Sequence, residues 1–123
     1  MPILNIEIVL RPEENLDRNL AGDLADRAGE IFGSPPGHTW VKVRTIPRAD
    51  YAENSESALE DVSPVFASVL KAELPDPDAM AGEVASLTTT IARVCRRPEG
   101  NVHILYKPAG AGRVAFGGRI IPT

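Results

Sequence analysis

The residue in this chain best suited to chemistry on its own is Pro2. Once Met1 is removed, its nitrogen is a free secondary amine at the head of a strand. An amine desolvated there, or set beside other cations, has a lowered pKa and can exchange protons near neutrality. With Met1 retained the same nitrogen is an amide without basicity. The plainer reading is that Pro2 only starts the strand, because a proline in first position removes no ladder bond. The second signal is the placement of charge. Residues 50–83 hold nine acids and a single base, Lys71. Residues 38–48 carry Lys42, Arg44 and Arg48, and residues 100–123 carry Lys107, Arg113 and Arg119, with no acid in either stretch. Cations without local partners favour an anionic ligand, most simply a small carboxylate, which arginine holds through a bidentate fork. Charges paired in space on a solvated surface are the alternative.

Other chemistries find little support. Cys95 is the only cysteine, which excludes an internal disulfide and any CxxC motif, and it falls on the apolar stripe of a predicted helix as a core residue does. His38 and His103 stand 65 positions apart without ligand-spaced acids beside them, so neither a metal nor another cofactor is expected. The net charge of −4 disfavours nucleic-acid binding. No run reaches the ~18 apolar residues of a membrane span, and the start lacks a secretory pattern, so a cytoplasmic protein is expected. A length of 123 residues suits one domain, 1–123.

The elements that must position these residues are legible from period. Leu4, Ile6, Ile8 and Leu10 alternate as on a half-buried strand. Pro12-Glu13-Glu14 reads as a helix opening, followed at helical spacing by Leu16, Leu20, Leu24, Ala28 and Ile31. Gly33-Ser34-Pro35-Pro36-Gly37 stops that helix. A second strand runs from about Thr39 to Pro47, with Trp40, Lys42, Arg44 and Ile46 on one side. Residues 48–64 read as an acidic loop with a short helical turn near Ser57–Val62, and Val65 to Leu74 as a third strand. Asp76-Pro77 caps a second helix carrying Met80, Val84, Leu87, Ile91 and Val94, with Arg93, Arg96 and Arg97 crowding its last turn. Asn101 to Lys107 is the fourth strand, and Arg113 to Phe116 a short C-terminal one.

The chain is therefore β-α-β twice, as pseudo-repeats over about 2–48 and 64–108, with strand starts 36 positions apart in each (3 to 39 and 65 to 101). Helix-length crossovers make the strands of each unit parallel. The expected fold class is α/β, an α+β sandwich: a four-stranded sheet with both helices on one face, plus the short C-terminal strand. The other sheet face then lacks cover, and self-association is its expected consequence.

Several of these features together resemble the tautomerase superfamily, nearest its macrophage migration inhibitory factor branch. They are Met1-Pro2-Ile3 opening a strand, the Gly33-Ser34-Pro35-Pro36 turn, the paired β-α-β spacing, Asn101-Val102-His103-Ile104-Leu105-Tyr106, and Val114-Ala115-Phe116-Gly117-Gly118. The resemblance implies a homotrimer with a site at each subunit interface and the amino-terminal proline as catalytic group. It implies a cofactor-free tautomerase or isomerase that interconverts the enol and keto forms of a small 2-oxo acid. The alternatives are a non-catalytic trimeric binding or scaffold protein, or a dehalogenase, hydratase or decarboxylase of the same fold.

The substrate-binding set departs from the branch. Ser34 stands where a lysine is common in the turn, His103 where a tyrosine is, and Leu105 where an asparagine is. Lys42 lies where the 4-oxalocrotonate tautomerase branch places a second-strand arginine, and Arg11 near the cation that follows that branch's first strand. Each keeps a plain alternative: His103 as an interface hydrogen-bonder, Lys42 as a salt-bridging residue, Arg11 as a solvated strand end, and Phe116 as interface packing rather than a pocket wall.

Overall fold

The structure, a computed structural model, describes residues 2–55 and 62–123. Its elements are β1 (Ile3–Val9), α1 (Leu20–Phe32), β2 (Trp40–Ile46), β3 (Val65–Leu70), α2 (Pro77–Cys95), β4 (Val102–Tyr106), β5 (Ala115–Phe116) and β6 (Arg119–Ile120). The four long strands form one sheet in the order β2-β1-β3-β4. Each β-α-β unit pairs its own strands in parallel, β1 with β2 and β3 with β4, while β1 and β3 join the units antiparallel. That junction sets Ile3 opposite Leu70 and Ile8 opposite Val65.

Period-two alternation sorts the side chains. Leu4, Ile6 and Ile8 of β1, Val65, Ala67 and Val69 of β3, and Val102 of β4 meet Leu20, Leu24 and Ala28 of α1 and Leu87, Ile91, Ala92 and Cys95 of α2 in one buried cluster. Each of the larger of these side chains contributes about 1.5–3 kcal/mol by leaving water. Both helices therefore lie on one face, as the spacing predicts. The other face is open, with Trp40 43% and Leu105 66% exposed.

The helix ends follow from their residues. Gly33 ends α1 in the left-handed conformation, its N–H donating to Glu30 O while Ser34 N–H donates to Gly29 O, a Schellman closure. Asp76 caps α2, its Oδ1 accepting from Ala79 N at 2.8 Å, with Pro77 in first position.

Four expectations are corrected. The first helix does not open at Pro12. Glu13 adopts φ 60°, and the Glu14 carboxylate is drawn off to Arg11 N and to Arg97, so α1 begins only at Leu20 while Leu16 packs against the core from outside it. The third strand ends at Leu70 rather than Leu74, because Lys71 and Ala72 turn their carbonyls to Gly110 N and Ala111 N of the C-terminal loop. The C-terminal strand is a hairpin of two, β5 and β6, joined by Gly117-Gly118. Of the cations expected in the last turn of α2 only Arg93 is there: Arg96 is the C-cap, and Arg97 lies beyond it and is buried. The helical turn expected near Ser57–Val62 falls largely on 57–61, outside the described residues.

Candidate active site

Pro2 sits where β1 begins, is buried, and is fixed by its carbonyl, which accepts from Trp40 N at 3.1 Å. Beside it opens a cleft of about 390 Å³. The α1 terminus supplies Phe32, Gly33, Ser34 and Pro35 to its walls, the following turn His38, the segment after β3 Lys71, Ala72 and Glu73, and the C-terminal region Ala111 and Pro122. The Schellman closure of α1 places Ser34 in the wall of the cleft, and Thr39 Oγ1 donates to Ser34 Oγ at 2.7 Å to hold it.

Lys71 reaches this cleft through the register. One step outward from the Ile3–Leu70 pair brings Pro2 and Lys71 to the same end of the sheet. Its ammonium is bound by Glu83 of α2, at 3.0 Å to Oε2 and 3.2 Å to Oε1, and lies 5.0 Å from the centre of the Phe32 ring. Tyr106 of β4 donates its hydroxyl to Glu83 Oε1 at 2.7 Å. Burial first, then that hydrogen bond and the Glu83 charge, raise the Tyr106 pKa well above an ordinary phenol, so it remains a donor throughout the neutral range.

The remaining sequence candidates are not gathered here. Lys42 projects from the open face, where it lines a separate cleft of about 320 Å³ with Asn5, Glu7, Arg44, Ser68 and Lys107. His103 and Leu105 are on that face too, with the His103 ring 5.4 Å from Phe66. Phe116 meets Trp40 edge-on at 5.1 Å between ring centres. Arg11 lies past the other end of β1, its Nη2 donating to Arg96 O at 2.7 Å and its Nη1 3.6 Å from Glu14. Within one chain, then, Pro2 and Ser34 come together, whereas Lys42, His103, Arg11, Leu105 and Phe116 stay outside the cleft. Sequence reasoning missed Lys71 as a residue of the cleft, and Glu83 and Tyr106 as the groups bound to it and to each other. The one available signal was that Lys71 is the lone base in an acidic stretch.

A cleft of similar size, about 400 Å³, lies at the opposite end between the start of α1 and the end of α2. Asp17, Asp23, Arg27 and Arg93 line it with opposing charges. Its only nucleophile, Cys95, is buried, which pushes the thiol up to about 11 and leaves it inert. Among the described residues no group of three or more His, Cys, Asp or Glu side chains converges as a metal site would, and no helix is long and apolar enough to cross a membrane.

No family model and no curated protein matches the sequence. Solved structures do match. The macrophage migration inhibitory factor from Oncomelania hupensis superposes with a TM-score of 0.75 at 15% identity, over 98% of this chain and 81% of that one. The fused 4-OT symmetric trimer Q0 gives 0.76 at 12% identity, over 96% and 94%. Pt0534, solved after inactivation by 2-oxo-3-pentynoate, gives 0.74 at 17%, again over 96% and 94%. At such identities the likeness is one of fold: this chain shares its backbone architecture with macrophage migration inhibitory factor and 4-OT structures.

Proposed function

We propose that the chain is a cofactor-independent tautomerase of a small 2-oxo acid, with the Pro2 nitrogen as the proton carrier. The observation that carries this reading is the cleft itself. A buried proline heads the central strand β1 and lines a cleft of about 390 Å³, with the α1 turn on one side and Lys71 on another. In the enol-to-keto direction, the amine removes the enol O–H proton as the C–O bond becomes a carbonyl. The electron pair of the C=C bond then takes a proton from the resulting ammonium at carbon. The reaction requires removal of Met1.

The same reading takes the open sheet face as a contact between copies, in threes as in the fused 4-OT trimers. Lys42, Arg11, His103, Leu105 and Phe116 would then be available to the cleft of a neighbouring copy. A substrate carboxylate fits those cations better than it fits the single-chain cleft, where Glu73 lines the wall and Lys71 is already paired with Glu83.

Glu73 favours a second reading. As a cleft-lining carboxylate it can take a proton from water, whose hydroxide adds to an unsaturated acid while a protonated Pro2 supplies the proton to the adjacent carbon.

The deciding experiment follows ketonisation of phenylpyruvate enol by the methionine-free protein and by Pro2→Ala, with intact mass as the check on Met1. Turnover that disappears in the variant establishes Pro2. Equal rates remove tautomerisation. Treatment with 2-oxo-3-pentynoate, an electrophile toward amines, is expected to leave an adduct on Pro2.

A further inference from the structure

The proton-transfer reading leaves open what stabilises the oxygen on which charge develops, and the Pro2 cleft contains a built answer. Lys71 is the only ammonium or guanidinium group lining it among the described residues. The ordinary expectation for an exposed lysine is a freely rotating ammonium, but Lys71 is held from several sides. Its side chain is 21% exposed and that of Glu83 14%. The two Glu83 oxygens engage two of its three N–H donors, and the Phe32 ring lies 5.0 Å from the ammonium. Its own carbonyl accepts from Gly110 N at 2.8 Å, which anchors the backbone from which the side chain departs. A Cβ at Gly110 would stand 2.9 Å from Val114 Cγ2 and 3.3 Å from Leu70 Cδ1, so glycine lets this loop pack closely on itself and on the end of β3.

Glu83 does not face Lys71 alone. Tyr106 donates to Oε1, the oxygen that is the more distant from Lys71 Nζ, and so takes up part of the carboxylate's charge. The lysine is less neutralised for it, and its third donor has no partner among the described residues. A net-neutral pair of this kind exerts little long-range pull on an anion. What it supplies is a fixed, directed donor whose hydrogen bond strengthens as negative charge appears on its acceptor.

We propose that Lys71 is the electrophilic group of the cleft, donating to the oxygen of the bound 2-oxo acid that alternates between carbonyl and enolate. Glu83 and Tyr106 are positioning residues for its ammonium. The inference rests on the tautomerase reading and adds to it the group opposite the base.

The test uses the methionine-free protein with phenylpyruvate enol. Lys71→Met is expected to lose about 100-fold in kcat with little change in KM, since the lost interaction belongs to the transition state. Lys71→Arg, which keeps a donor, recovers part of that loss. Tyr106→Phe and Glu83→Gln lose about 10-fold in kcat through misplacement of the ammonium, with far-UV circular dichroism and assembly unchanged. Full turnover by Lys71→Met, alongside inactive Pro2→Ala, overturns the inference and leaves the base intact. Should the wild-type protein show no Pro2-dependent turnover, the tautomerase reading fails separately, and binding of oxalate, whose charged oxygens stand in for the enolate rather than for the keto acid, decides for Lys71. Affinity at least about 10-fold lower in Lys71→Met sustains it as the oxygen ligand, and equal affinity overturns it.

Discussion

The two ends of the β1–β3 pair each close over a cation and a glutamate, and they differ in how fully the cation is engaged. At the far end the Arg97 side chain is wholly buried. Its Nε donates to Ser63 O, its Nη1 to Cys95 O and Glu14 Oε2, and its Nη2 to Val9 O and Glu14 Oε1. One guanidinium thus ties β1, the segment before β3, the end of α2 and the loop before α1, leaving no direction in which a ligand could approach. At the near end Lys71 has one counterion, one aromatic neighbour, a fifth of its side chain in contact with solvent, and a cleft in front of it. The first arrangement fixes a fold; the second keeps a donor for something else. Burial and charge alone would have ranked Arg97 as the more suggestive residue. Counting donors against acceptors reverses that ranking.

The comparison breaks most visibly if the wrong end proves to hold the structure together. Arg97→Met is expected to cost about 3–5 kcal/mol, because it leaves three carbonyls around a wholly buried side chain unpaired and takes both of its hydrogen bonds from the Glu14 carboxylate. Urea denaturation measures it. Lys71→Met, at the partly solvated end, is expected to cost about 1 kcal/mol or less. Comparable losses at the two ends would remove the distinction between a structural and a functional ion pair.

A pH titration of stability sharpens the same contrast. The Arg97 hydrogen bond, assisted by the Arg11 N–H and by both guanidinium charges, holds Glu14 below the ordinary glutamate value of 4.5 despite the opposing effect of burial. A carboxyl whose folded pKa is depressed contributes stability that is complete above its unfolded value and is lost as pH falls through the folded one. The urea midpoint should therefore fall more steeply below about pH 4.5 in the wild-type protein than in Glu14→Gln. Parallel profiles for the two proteins would mean that the Glu14–Arg97 pair does not favour the ionised form.

Sequence and structure part company along the same division. Alternation at period two exposes which side chains of β1, β2 and β4 face the helices, and it puts Lys42 and His103 on the open face, where they are found. Asp76-Pro77 and Gly33 mark helix ends through backbone chemistry that is local, and local chemistry is legible. The β1–β3 register is not local, because no period or turn residue states that Ile3 lies opposite Leu70. Pro2 could be singled out from its residue type, whereas its neighbour Lys71 could not. Arg97 misleads for the reverse reason. Near a helix C-terminus a cation has a sufficient local explanation in the dipole, and apart from the Cys95 carbonyl its partners, Val9, Glu14 and Ser63, are 88, 83 and 34 positions away. The Pro12-Glu13-Glu14 opening fails as a helix start because Glu14 answers to that distant arginine rather than to its own turn.

The smallest effect is predicted at Arg96, which adjoins the buried arginine. It ends α2 with φ 59° and ψ 49°, a left-handed conformation that a side chain disfavours, while Arg97 N–H donates to Ala92 O at 2.9 Å. Glycine adopts this conformation without the clash but has more freedom to lose from the unfolded chain, so the two effects partly cancel. Arg96→Gly should therefore stabilise by only about 0.5 kcal/mol. The Arg11 guanidinium bonds the Arg96 carbonyl rather than its side chain, so that contact is retained. Urea denaturation reads the stability, and phenylpyruvate-enol turnover at the opposite end of the sheet should not change. A gain in stability with constant kcat keeps the two ends independent. A change in kcat from a residue so far from Pro2 would instead mean that the buried arginine end and the lysine cleft are coupled through β1 and β3, and that neither end can be assigned to structure or to chemistry alone.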